Sequence, residues 1–163
     1  MSSAPHVDVA AARARVRTAT RADVPAVRAC LVASGLSTAG VGADDVRLAV
    51  LEDRQGRIVG VTGFEGGGPD ALLRSVAVAP ALRRHGLGRM LAEAACERAA
   101  ALPDVERLWV LDAGSGAFWQ RLGFRLVPTA DLVAALPHAW QVVALVESGD
   151  IERQIAWTRP ARP

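Results

Sequence analysis

At 163 residues, with 51% hydrophobic and 22% charged residues and a net charge of +2, the chain is sized for one globular domain with a real core, which excludes a disordered chain. All 19 basic residues are arginines spread along the sequence, which argues against a basic arm or stripe dedicated to nucleic acid. No apolar run approaches the ~18 residues of a membrane span, and the N-terminus lacks the basic head and apolar core of a secretory signal, so a cytoplasmic protein without a membrane partner is expected.

Residues 1–14 have no clear period and read as a flexible tail, leaving 15–163 as a single domain. Arg15 to Thr20 suits a short strand. Thr20 to Gly35 predicts a helix with Thr20 as N-cap, Asp23 in the first turn and Gly35 as stop. Val24, Val27, Leu31 and Val32 share one face of it. The run 34–45, rich in Gly, Ser and Ala, reads as a loop or a weak helix. "VRLAVLE" and "RIVGVTGFE" are strands joined by the hairpin turn "DRQG". After "GGGPD" comes the strand "ALLRSVAVA", then a helix from about Leu87 to Leu102 that buries Leu87, Met90, Leu91, Ala94, Ala95 and Leu102. "VERLWVL" is a strand, "SGAFWQRL" a short helix stopped by Gly123, and "FRLVP" an extended piece. "WQVVALVE" and "IERQIAWT" predict an antiparallel pair across "SGD", whose edge offers a way to join two copies as a homodimer. The order predicts an α/β (α+β) fold, a mixed sheet with helices on both faces. Cys30 and Cys96 have no metal-type spacing and read as buried small hydrophobes in a reducing compartment; no metal site is expected.

The chemistry concentrates in "SVAVAPALRRHGLGRMLAEAA", where an apolar strand stops at Pro80 and a helix starts near Gly86. The first N–H groups of a helix have no intrahelical acceptor, and with the positive end of the dipole they suit an anion. Gly86 and Gly88 allow close backbone approach, and Arg83, Arg84 and Arg89 add charge that can grip phosphate oxygens in pairs. The chemistry called for is a pyrophosphate. A tight turn with solvated arginines explains the motif alone equally well. No Gly-Lys-Ser/Thr follows and the third Rossmann glycine is missing, so neither phosphate fingerprint applies.

The stretch "LLRSVAVAPALRRHGLGRMLAEAA" resembles the acetyl-CoA-binding core of the GNAT N-acetyltransferase superfamily, whose signature Arg/Gln-x-x-Gly-x-Gly/Ala appears as Arg83, Gly86 and Gly88. The family's second landmark, an aromatic pair in a short helix ending in Gly-Phe, appears as "AFWQRLGF". The resemblance covers about Arg15 to Phe124 and implies a mostly antiparallel central sheet. "GLST", "GFE" and "LLRSVAV" further resemble small stand-alone transferases of an arsenic-resistance-like group, from which the part beyond Pro128 departs. The resemblance implies acetyl-CoA, or another acyl-CoA, as co-substrate and a small amine or amino-acid-like acceptor. It places the backbone of Val76, Ala77 and Val78 against pantetheine. It sets Arg83, Arg84, His85, Gly86, Leu87, Gly88 and Arg89 around the pyrophosphate, and Ser115 and Trp119 beside the thioester.

Direct transfer needs positioning, an oxyanion site, a route for the amine proton and an acid for the leaving thiolate. Many relatives use a tyrosine where Trp119 stands, and an indole has no accessible acidic proton; the chain has no tyrosine at all. Many also carry a glutamate where Leu72 stands. That leaves Glu65, at a strand end before a glycine loop, as the candidate base, with an ordinary solvated carboxylate as the alternative. Asp112 is a second candidate for holding an amine. A catalytically weak acyl-CoA-binding module is the competing function.

Overall fold

The computed structural model describes residues 6–163. Within the expected tail, Val9–Arg13 form a helix, α1, because Asp8 caps it by accepting the Ala11 N–H at 3.1 Å. β1 (Val16–Thr18) leads to a 3-10 turn at Arg21–Asp23 and to α2 (Val24–Ala33). The Thr20 N-cap is observed, in a capping box with Asp23. Val27 and Leu31 are buried as expected, but Val32 is 69% exposed, one residue beyond the buried stripe.

β2 (Val46–Glu52), β3 (Ile58–Glu65) and β4 (Asp70–Val78) follow as an antiparallel meander. α3 (Leu87–Ala100) ends before Leu102, and β5 (Arg107–Asp112), α4 (Gly116–Arg121) and β6 (Arg125–Val127) come next. Here the expectation fails. Thr129–Ala135 and Trp140–Ser148 are helices α5 and α6, so "WQVVALVE" is no strand. Val142 is buried on one side while Val143 and Val146 are exposed, and Gly149 stops the helix at φ +79°. β7 (Ile155–Pro160) alone survives from the predicted pair.

The seven strands are ordered β1-β2-β3-β4-β5-β7-β6, antiparallel except for β4·β5. β7 lies between β5 and β6, so the edge proposed for joining two copies is interior. Alternation along β4 divides the core. Leu73, Val76 and Val78 face α3, whereas Leu72 faces α5 and α6, and Ala77 faces α2. Helices therefore cover both faces, as expected. Cys96 is buried on the side of α3 that faces the sheet, while Cys30 is only half-buried; both are free thiols. Among the described residues no helix is long and apolar enough to cross a membrane.

Candidate active site

β4 makes the site by parting from β5. The parallel ladder runs from Asp70↔Arg107 to Leu73↔Val110 and stops, while β4 continues to Val78 paired with β3 alone. At the parting point β4 is bulged. The register with β3 shifts between Val61↔Ala77 and Gly63↔Arg74, and Ser75 takes a left-handed φ of +62°. The free edge has a definite phase. The Ala79 N–H donates to the Val59 carbonyl, so Ala77, two residues earlier, also turns its polar groups to β3. Val76 and Val78 turn theirs to the open edge. The expectation that all three residues serve an extended ligand is thus corrected for Ala77.

The loop after β4 supplies donors. Among the described residues, no backbone carbonyl accepts from the N–H groups of Arg84 to Arg89, and Gly86 caps α3 at φ +81°. Arg84 holds a left-handed φ of +66° that aims its amide into the same cluster. The arginines divide by role. Arg83 bends back, its Nε donating to the Val78 carbonyl at 3.0 Å and its Nη2 reaching Ser34 Oγ at 3.4 Å, so it braces the loop. Arg89 is paired with Glu93 at 2.9 Å on the exposed face of α3. Arg84 is exposed, with no side-chain partner among the described residues, and His85 is half-buried beside it. A Cβ on Gly88 would point into open space, as required of a residue that an anion approaches. Leu87 is buried and anchors the helix start.

Across the gap, Ser115 precedes α4, and its N–H and that of Gly114 donate to Asp112 Oδ2. Asp112 thus forms the turn through Oδ2, and none of these bonds uses its Oδ1. Trp119 is 7% exposed and packed edge-on against Phe118 and Phe124, with centroids 4.9 and 5.6 Å away. It is first a core residue. His6 and His138 are both exposed.

Glu65 does not face an opening glycine loop. It is fully buried, with Oε1 accepting the Gln141 N–H and Oε2 the Trp140 N–H, both at 3.0 Å. The Arg74 guanidinium lies 3.3 Å away. Burial pushes the Glu65 carboxyl up, opposed by the Gln141 N–H, the Arg74 charge and the Trp140 N–H; burial likewise pulls Arg74 down against the Glu65 charge. Sequence reasoning passed over Arg74, although a lone arginine in "LLRSVAV" is a visible anomaly, and passed over Trp140 altogether. Among the described residues no cluster of His, Cys, Asp and Glu could hold a metal ion.

Comparison with known proteins agrees with this geometry. The model described as Acetyltransferase (GNAT) family matches residues 27–124. No curated protein matches the chain. Among solved structures, Rv2747 from Mycobacterium tuberculosis, in complex with CoA and NLQ, is similar at TM-score 0.70 and 23% identity, over 89% of this chain and 98% of that one. N-acetylglutamate synthase from Neisseria gonorrhoeae, complexed with coenzyme A and N-acetyl-glutamate, is similar at TM-score 0.69 and 15% identity over 91% of this chain. The present chain spans only 35% of that protein's length. The ribosomal-protein-S18-alanine N-acetyltransferase from Escherichia coli is similar at TM-score 0.61 and 18% identity, over 90% and 92% of the two chains.

Proposed function

Because the chain belongs to the acetyltransferase (GNAT) family of acyl-CoA-dependent N-acyltransferases, we propose that it transfers an acetyl group from acetyl-CoA to the amine of a small, amino-acid-like acceptor. One observation carries the reading: among the described residues, the outward-phased edge at Val76 and Val78, where Arg83 already takes the Val78 carbonyl, leads directly into N–H groups of Arg84 to Arg89 that no backbone carbonyl accepts. An extended chain with amides at one end and a pyrophosphate at the other fits that sequence of donors and acceptors. The bound thioester supplies an acyl carbon open to an amine, with a thiolate as leaving group. The chain's own part is to hold that carbon at the β4 bulge, and to offer the outward Val76 N–H to charge developing on the acyl oxygen.

What one fold neighbour holds supports an amino-acid-like acceptor. N-acetyl-glutamate is bound in the Neisseria enzyme, and an arsenic-resistance-like acceptor would likewise be amino-acid-like. The test is thiol release from acetyl-CoA against a panel of standard amino acids, their phosphinic analogues and simple amines. Turnover with an amino-acid-like member and none with simple amines is expected. Release with no acceptor in the panel refutes the substrate class. A second reading, an acyl-CoA-binding module with weak catalysis, is favoured by one feature: neither Trp119 nor the enclosed Glu65 is an acid or base open to solvent. Tight acetyl-CoA binding without any thiol release would select it.

A further inference from the structure

Glu65 ends β3 on the sheet face that carries α2, α5 and α6. Its two oxygens take the Trp140 and Gln141 N–H groups, donors in the first turn of α6 that the helix itself leaves without acceptors. A carboxylate there also meets the positive end of the helix dipole. The same turn is fastened at a second point, where Trp140 Nε1 donates to Asp45 Oδ1 at 3.0 Å. The Trp140 ring meanwhile lies against the Cα of Gly40 in the 34–45 loop. Arg74 joins these pieces to the bulge. Its Nη1 faces Glu65, its Nε donates to Ser75 Oγ at 3.1 Å and its Nη2 to the Ser37 carbonyl at 3.4 Å.

The bulge is where β4 leaves β5, and the reacting carbon belongs beside it. An amine approaching from the face opposite α3 meets the 34–45 loop and the start of α6. We propose that Glu65 is a positioning residue: with Arg74 it clamps the first turn of α6 beside the β4 bulge, so that Trp140 and Gln141 wall the place where the acceptor is held. The proposal rests on the acyl-transfer reading. It assigns the segment after Pro128, which departs from the resembled group, the task of selecting the acceptor.

The test combines hydrogen exchange with kinetics on Glu65→Gln and on Asp45→Ala, the latter removing only an exposed partner of Trp140. Exchange at the Trp140 and Gln141 amides should accelerate at least about tenfold in Glu65→Gln. For the best amino acid of the panel, KM should rise at least about tenfold in Glu65→Gln and less in Asp45→Ala, with kcat and acetyl-CoA affinity within about twofold. The acid limb of the pH–rate profile should be unchanged. A kcat loss of roughly a hundredfold with loss of that limb would make Glu65 a base and overturn the proposal. Unaltered exchange at both amides overturns the clamp whatever the kinetics, and an unaltered KM in both variants overturns the wall. Absence of turnover in the wild-type protein refutes the acyl-transfer reading and the wall with it, while the exchange result still decides the clamp.

Discussion

Arg74 and Glu65 stand 3.3 Å apart on adjacent strands, and each side chain keeps 1% of its surface exposed. A buried pair of this kind is costly to break from one side, because the survivor is left charged and unpaired. Arg74→Met is therefore expected to destabilise the protein by about 3–5 kcal/mol. The double variant Glu65→Gln/Arg74→Met should cost less than the sum of the two single changes, with a coupling of about 1–3 kcal/mol. Urea unfolding of the four proteins measures both quantities. Strict additivity would mean that the ion pair contributes nothing beyond its separate hydrogen bonds.

The loop proposed to hold the pyrophosphate separates two glycines that look equivalent in "HGLG". Gly86 sits at φ +81°, so any side chain there strains the backbone before a ligand is considered. Gly88 has room for a Cβ. Gly88→Val is accordingly the clean probe: acetyl-CoA affinity should fall at least about tenfold while the melting temperature stays put. Arg84→Ala should lose less, since the N–H groups remain, and Gly86→Val should lose both affinity and stability. Calorimetry and thermal unfolding on the three variants check the ranking.

Much of this was readable in advance, for reasons that can be located. The β2–β4 meander announces itself because β-branched residues alternate between hairpin signals over short distances. The loop at Arg83 to Arg89 is legible because its chemistry is local: glycines, arginines and a helix start adjoin in the chain. α6 was not, because "WQVVALVE" has strong strand propensity and its helix start is secured by a carboxylate 75 residues away. Gly149, read as part of a turn, was the one local clue to a helix end. α1 has a local signal of its own, since Asp8 before "VAAAR" is an ordinary N-cap, but five residues are too few to show a period. The surroundings of Glu65 depend on α6, so reading that element as a strand also hides the two N–H groups that enclose the carboxylate.

The resemblance sets Trp119 where many relatives carry a tyrosine, but its aromatic contacts are with Phe118 and Phe124. Trp119→Phe should preserve turnover within a few-fold, whereas a true acid would account for roughly 100- to 10,000-fold. Trp119→Ala should instead cost about 3–5 kcal/mol of stability through the cavity it leaves. Steady-state kinetics on the first and urea unfolding of the second separate packing from chemistry.

Arg17 ties β1 to the start of α2 and to β2, with 2.7 Å to Asp23 and 2.6 Å to Glu52. The Arg17 hydrogen bond, helped by the Thr20 N–H, holds the Asp23 carboxyl well below the usual carboxylate range. A carboxyl lowered in the folded state stabilises above its unfolded value of 3.8, and that contribution drains away as pH falls below it. Wild-type stability should therefore drop on acidification below that value, and Asp23→Asn should show a shallower drop, by up to about one proton in slope. Urea midpoints across an acid series measure it; identical slopes would remove Asp23 from the account.

The start of α6 can also be tested from the loop it covers. A Cβ built on Gly40 would lie 2.6 Å from Cδ1 of Trp140 and closer still to Cγ, so the indole rests on bare backbone. Gly40 also has φ +71°, which means Gly40→Ala carries two penalties. One is backbone strain, about 1 kcal/mol and independent of Trp140. The other is overpacking against the ring, about 1–3 kcal/mol. Trp140→Ala removes the ring and with it the second penalty only. In that background Gly40→Ala should cost about 1 kcal/mol, against about 2–4 kcal/mol in the wild type. The difference measures how firmly the indole is held, because a loosely seated ring would swing aside and erase it. Asp45 holds the indole N–H and Glu65 the Trp140 backbone N–H, so a full difference in the wild type should shrink when Glu65→Gln is added. Equal costs of Gly40→Ala with and without Trp140 would mean that the first turn of α6 is not fixed over the loop at all.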